Sequence, residues 1–309
     1  MSNLEFYTPH DIPPEILAYG YDVTQLQVGK AGKIGALTLR LEQNTENSKT
    51  VVKEQYSKVP LFTQRALYLE ESLPSMAYMY IISPSGGILQ GDRYRMDITL
   101  RNNARAHITT QGATRIYRME KNYATQIVNI IVDDGCYFEF IPDQIIPYRN
   151  SRFYQTVSLS IHDNATMMYA EMIVPGRVAS GESFEYDICY LKALAKNQNN
   201  VLRFIDVAVL EPKKRSLNIL GILGKFSVVG NMYILTKTKY ISELRTEINS
   251  VLQNFSNISG GATVLPGDSG VLIRILGEVA QDIRAAMYEI IGITRKIILN
   301  ASFSGIRKG

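Results

Sequence analysis

Residues 83–92 read SPSGGILQGD, and the fold class turns on how that stretch is continued. Gly86 and Gly91 have the G-x-x-x-x-G spacing that opens a nucleotide-binding P-loop, but the Lys and Ser/Thr that the motif needs are replaced by Asp92 and Arg93. A P-loop also joins a strand to a helix, whose first amides face the phosphates. Here the segment before the loop, MAYMYIIS (76–83), and the one after it, YRMDITL (94–100), both alternate with period two. The context is strand–loop–strand, and Asp92 puts a carboxylate where phosphate would be repelled. The loop reads as a glycine-permitted turn with Asp92 capping its own backbone, not as a nucleotide site.

Period two extends outward in both directions. GALTLRL (35–41) and TVVKEQY (50–56) flank a polar connection and read as a hairpin. AHITTQ, ATQIVNIIV, CYFEFI, FYQTVSLSI and TMMYAEMIV follow, each bounded by Asn, Asp, Gly or Pro. SFEYDICYLKAL and VLRFIDVAVL flank AKNQNN as another hairpin, and a short helical turn competes near 61–72. No strict repeat period is visible. The pattern predicts a mainly β chain of many short antiparallel strands, sandwich- or solenoid-like. The last third differs: Ile241, Leu244, Ile248, Val251, Leu252 and Phe255 share one helical face, and Val279, Ile283, Ala286, Met287, Ile290, Ile297 and Ile298 share another. Between them lie a GGATVLPGDSG loop and the strand VLIRIL. The predicted organisation is an N-terminal extension (1–22), a β-rich domain (23–211) and a smaller C-terminal α+β part (212–309) carrying two amphipathic helices.

Composition bounds the rest. The 309 residues suffice for a core that needs no staples. Thirty-three basic residues nearly balance 29 acidic ones, so no broad field for nucleic acid arises, and the run Lys213-Lys214-Arg215 reads as a solvated turn. Cys136 and Cys189 form no C-x-x-C and read as small buried hydrophobes, which suits a reducing compartment. The N-terminus lacks a signal-peptide core, and the most apolar late run (219–235) is too interrupted to span a membrane. The expectation is a soluble, cytoplasmic protein.

Catalytic chemistry is hard to find. Thr109, Thr110, Gln111, Gly112, Thr114, Arg115, Tyr117 and Arg118 make an unusually dense polar segment, but no activated nucleophile or titrating pair accompanies them. His10, His107 and His162 lie in unrelated contexts, and no spacing suggests a tight metal site; His107 reads as structural. A carboxylate pair such as Glu171 and Glu182 keeps open a carbohydrate-active enzyme on a β scaffold.

Five blocks, SPSGGILQGDRYRMDI, AHITTQGATRIYRM, FIPDQIIPYRNSRFYQ, PGRVASGESFEY and LPGDSGVLIRILG, resemble in order and spacing the signatures of the urease accessory protein UreD (UreH) family, over roughly residues 20 to 300. Their motif positions here are Gly86, Gly87, Gly91, Thr110, Gln111, Arg115, Tyr117, Arg118, Pro142, Gly176, Arg177 and Gly181. The sequence departs from the family where Asp143 and Gln144 follow FIP, where Arg115 stands for the common Lys, and where Ile290 and Ile291 lie in a last helix without tryptophan.

The resemblance implies a non-enzymatic chaperone subunit for nickel insertion into urease. It would act with the helical accessory protein UreF and the GTPase UreG and dock on apo-urease. It implies no tightly bound cofactor, GTP hydrolysis only on UreG, and an internal polar passage for transient Ni²⁺. Oxygen donors suit brief handling of such an ion better than clustered Cys and His. The acids offered for that passage are Asp92, Asp143, Glu171, Glu182 and Glu185, with Ser85, Thr110 and Gln111 as neutral wall groups. A scaffold that only holds UreF, conducting nothing, is the alternative. The two C-terminal helices and the VLPGDSG loop are the expected part of the UreF surface.

Overall fold

The computed structural model describes residues 4–20 and 32–306. The expected boundary at 22/23 lies outside the described residues. After a one-turn helix, α1 (Pro14–Leu17), the chain forms β1 (Ile34–Gln43), β2 (Thr50–Lys58), β3 (Phe62–Thr63) and β4 (Ala77–Ile82). Next come β5 (Arg93–Arg101), β6 (Arg105–Thr110), β7 (Thr114–Ile116), β8 (Ala124–Val132), β9 (Tyr137–Phe140) and β10 (Ile145–Pro147). β11 (Arg152–Ile161), β12 (Thr166–Ile173), β13 (Ile188–Asn197), β14 (Leu202–Leu210) and β15 (Val228–Leu235) follow. The chain then runs through α2 (Thr238–Leu252), β16 (Ile258–Val264), β17 (Gly270–Gly277) and α3 (Ala280–Leu299).

The strands sort into two sheets. One has the order β14-β13-β11-β8-β5-β1-β2; the path of the other is β16-β17-β15-β12-β9-β6-β4-β3, with β7 and β10 attached beside it. Between β4 and β13 the chain passes back and forth between the sheets, so β5–β6, β8–β9 and β11–β12 are stacked coils of a solenoid. Corners stack as well: the Asp133 amide donates to Leu100 O (3.0 Å) and the His162 amide to Val132 O (2.9 Å). The chain is thus mainly β and solenoid-like with a C-terminal helical part, as expected.

Three details correct the sequence reading. The central ladders, β1-β5-β8-β11-β13 and β4-β6-β9-β12, are parallel. Antiparallel pairing is confined to the two expected hairpins, β1–β2 and β13–β14, to the short β3–β4 pair and to β12-β15-β17-β16. Period two marks a strand but not its direction: turns such as Arg101–Arg105 are corners that lead to the other sheet, not hairpins that return to the same one. Near 61–72 there is no helical turn, because Phe62, Thr63 and Leu67 pair with β4. The Gly-Gly end of the expected 260–270 loop belongs to strand β16.

The layers follow from side-chain alternation. One core fills the space between the sheets, with Leu37, Ile98, Val128, Phe138, Val157 and Tyr169. A second lies between the outer face of the β12-β15-β17 sheet and the helices, where Met168, Met232 and Ile273 meet Leu244, Ile248, Ile283 and Ile290. β12 is therefore buried along its whole length. The apolar faces of α2 and α3, at 3- and 4-residue spacing, are consumed by this core.

One buried polar cluster pins α3 to the sheet. Arg295 donates to both Glu139 carboxylate oxygens (2.7 Å each) and to Glu70 (2.7 Å), while His107 and Tyr137 close on Glu139. Burial would raise Glu139, but the charge and hydrogen bonds of Arg295, with those of His107, hold it down to about 2. His107 is thus part of a structural network, as its strand position suggested.

Candidate functional site

The strand alternation that builds the inter-sheet core is broken at one level. Gln126 of β8 and Gln155 of β11 occupy inward positions flanked by apolar residues, and they face each other in register. Opposite them on β12, Tyr169 and Glu171 also point inward, Tyr169 at the level where the neighbouring coils carry Phe140 and Ile108. Polar groups placed in a core need partners, and these supply one another. Gln126 Nε2 donates to Gln155 Oε1 (2.8 Å), Gln155 Nε2 to Tyr169 Oη (3.4 Å), and Tyr169 Oη to Glu171 Oε2 (2.9 Å). Asn231 Nδ2 donates to the other carboxylate oxygen at 3.2 Å.

Gln126, Gln155, Tyr169 and Glu171 line the inner end of a cavity of about 390 Å³ between the two sheets. Its outer end is marked by the exposed residues Ser83, Gly86, Gln111, Gly112 and Arg115. Thr110, Pro142 and Asp143 lie along the wall. Burial is the main cause that raises the Glu171 pKa above the usual carboxylate range, against the hydrogen bonds of Asn231 and Tyr169. Asp206 and Arg274 also bear on it electrostatically. Those two groups continue the polar line beyond the inner end: Tyr233 is stacked on Tyr169 with ring centres 5.7 Å apart and donates to Asp206 (2.6 Å), as does Arg274 (2.6 Å).

The opening loop shapes the outer end. Gly86 and Gly91 have φ of +76° and +74°, which only glycine adopts without strain. At Gly87 a Cβ would lie 2.5 Å from the Tyr117 ring and 2.6 Å from Arg115 O, so no side chain fits. Asp92 accepts the Leu89 amide (2.9 Å) and the Lys33 amide (2.8 Å) and pairs with the Lys33 ammonium (3.0 Å), all out of solvent. It caps its own turn, as its position suggested, and is not a cavity-lining residue. Among the sequence candidates, then, Asp143 and Glu171 come together on one cavity with Thr110, Gln111 and Arg115.

Glu182 and Glu185 lie elsewhere. Glu182 is held by Arg177 and by the Arg149 amide (3.2 Å), and Glu185 by the Arg149 guanidinium. Gly176 and Gly181 bracket this loop, and Arg177 sits 4.3 Å over the Tyr148 ring, which meets Tyr117. Ser85 Oγ donates to Gly87 O (3.3 Å), and Arg118 is exposed, 3.6 Å from Glu120. Glu171 and Glu182 thus do not share a cleft, which removes the carboxylate pair of a carbohydrate-active enzyme. Asp143 is 3.5 Å from Arg284 of α3, which also donates to Gln144 at 2.6 Å. Gln126, Gln155, Tyr169 and Asn231 escaped the sequence reading. The available signal was a polar residue at the inward phase of an otherwise apolar strand.

What these features define is a β solenoid with a polar inter-sheet cavity whose wall carries Asp143 and Glu171. Comparison with known proteins fixes the class. A family model described as UreD urease accessory protein matches residues 33–307. The chain is 42% identical over 284 residues to a urease accessory protein UreD of Cenarchaeum symbiosum, covering 92% of this chain and 99% of the relative. It is 37% identical to a urease accessory protein UreD 2 of Brucella canis (290 residues; 93% and 95% covered) and to a urease accessory protein UreD of Yersinia pseudotuberculosis (291 residues; 91% and 90%). The chain belongs to the UreD family of urease accessory proteins. Among the described residues, no helix is long and apolar enough to cross a membrane.

Proposed function

We propose that the chain serves urease maturation by passing Ni²⁺ through its inter-sheet cavity toward apo-urease, in a cytoplasmic complex with UreF and the GTPase UreG. The observation that carries this reading is the placement of Glu171 at the inner end of a cavity whose wall also holds Asp143. Burial raises the pKa of Glu171, so this carboxyl holds its proton more tightly than an exposed one, and an arriving cation favours exchange of that proton for the ion. Two carboxylates, amides and hydroxyls offer a hard, loosely held ligand set, so the ion is released as readily as it is taken up. The protein itself makes and breaks no covalent bond. GTP hydrolysis belongs to UreG, and nickel is cargo, not a resident cofactor.

The scaffold reading keeps one observation in its favour, since Arg284 occupies the neighbourhood of Asp143 and competes with any cation there. The two readings separate in a reconstituted maturation assay with purified apo-urease, UreF, UreG, GTP and Ni²⁺. On the conduction reading, Glu171→Gln and Asp143→Asn lower the nickel bound per urease while the UreF complex still forms. Full nickel loading by both variants would favour the scaffold.

A further inference from the structure

The main paths of the two sheets end in four edge strands, and open edges invite pairing with another chain unless they are blunted. β3 is two residues long. β2 carries Lys53, Glu54 and Lys58 along its length. β16 contains Gly260-Gly261 and is covered at Ala262, whose amide and carbonyl are both taken by the Asn249 side chain of α2 (2.8 and 3.0 Å). The fourth edge, β14, is nine residues long, and its two charged side chains are already engaged, Arg203 by Asp163 and Asp206 by Tyr233 and Arg274. It bonds only to β13, and among the described residues no other hydrogen bond reaches its backbone. Its outward side chains are apolar: Leu202, Ile205, Val207 and Val209 are 54%, 56%, 43% and 41% exposed. Just beyond its end a turn presents Leu220, 98% exposed, on a loop anchored by buried Leu217 and Leu223 and braced by the Leu223 amide to Leu217 O (3.1 Å). Single exposed apolar residues are normal for a surface; along β14, Ile205, Val207 and Val209 recur at alternate positions.

From this contrast we infer that β14 is a docking edge that receives an extended segment of a partner protein as an added strand. Main-chain bonds to the open edge supply affinity, and alternate apolar side chains along Ile205, Val207 and Val209 supply register. Charge sets the partner's chemistry. β14 runs directly into Lys213-Lys214-Arg215, all exposed. Lys213 holds Asp187 and Lys214 holds Glu211, while Arg215 has no ion-pair partner among the described residues. The matching segment is apolar with carboxylates at the end that meets this turn. A second copy of this chain would bring a second net charge of +4 instead. β14 also carries Asp206, the outer member of the polar line leading from Glu171, so a partner docked here sits beside the inner end of the cavity.

The inference rests on the proposed role in urease maturation, and the test separates the two. Full-length protein, its Val207→Lys/Val209→Lys variant and a Tyr56→Lys control on the already charged β2 edge are each titrated with purified apo-urease and with purified UreF. Amide exchange of residues 202–210 is followed in the wild-type mixtures. The expected result is a complex with one of the two that protects those amides, is weakened at least tenfold in the β14 variant and is unchanged in the control. Equal affinity of the β14 variant, or amides that exchange as fast in the complex as in the free chain, would overturn the docking edge alone. So would a homodimer that the β14 substitutions dissolve. If the wild-type protein binds neither partner, the maturation role fails and the inference falls with it.

Discussion

Tyr169 donates its hydroxyl to Glu171 two residues along the same strand, at 2.9 Å, inside the core between the sheets. That carboxyl is kept buried at a cost, since its pKa lies above the ordinary 4.5. A group that binds its proton more tightly when folded loses stabilisation as pH rises through the interval between its unfolded and folded values. Glu171→Gln is therefore expected to be as stable as wild type or more so at pH 7, and to show a smaller fall in melting temperature between pH 5 and 7. A destabilised variant would mean that Glu171 is held as a structural anion.

Glu139 has the opposite sign. Its pKa, held near 2 by Arg295 and His107, lies below the ordinary 4.5. Its contribution is therefore fully present above pH ~4.5 and lost as pH falls toward 2. Urea midpoints measured from pH 5 to 2.5 are expected to drop steeply in wild type. Arg295→Met leaves Glu139 and Glu70 buried without their cation and is expected to cost about 3–5 kcal/mol at pH 7. A loss below about 1 kcal/mol, the scale of an exposed pair, would show that the network does not hold α3 in place.

Asp92 is expected to matter for folding, not for nickel. Asp92→Asn leaves the buried Lys33 ammonium unpaired and is expected to lower stability by about 3 kcal/mol. Replacing both members, Lys33→Met with Asp92→Leu, is expected to recover part of that loss. Chemical denaturation of the three variants checks this, and an Asp92→Asn protein of wild-type stability would contradict the capping role.

The two thiols are expected to be inert in the native protein. Burial pushes Cys136 up to about 11 and Cys189 higher still. A thiol-specific reagent at pH 8 is expected to label neither within minutes, and both at once in denaturant, because the thiolate is the reactive form. Rapid labelling of native protein would mean that one of the cores opens.

The strands were legible because alternation is a local signal, and β8 runs over the residues 124–132 that its pattern marks. The helices were legible for the same reason. Parallel stacking was not, because a strand's neighbour in a solenoid lies a full coil away and the coils differ in length: Arg93 faces Thr125, Thr125 faces Tyr154, and Tyr154 faces Tyr190. Of the five acids offered for the passage, the sequence could not separate Asp143 and Glu171 from Asp92, Glu182 and Glu185. Carboxylates of one type differ only in what folds around them, here Lys33 for Asp92 and Arg177 for Glu182. The apolar faces of the two helices were legible as well, and Leu244, Ile248, Ile283 and Ile290 pack on the sheet.

The most direct test of the cavity as a nickel route is the metal content of urease itself. Apo-urease is matured with UreF, UreG, GTP and limiting Ni²⁺, using wild-type chain, Glu171→Gln, or Gly112→Trp. At Gly112, beside the cavity's outer end, nothing lies within 4 Å of an added Cβ, so a side chain can start there without a clash at its first atom. Nickel per urease is expected to fall about tenfold with either variant, the factor given by ~1.4 kcal/mol, although both form the same complexes as wild type. Nickel loading equal to wild type in both would contradict passage through this cavity.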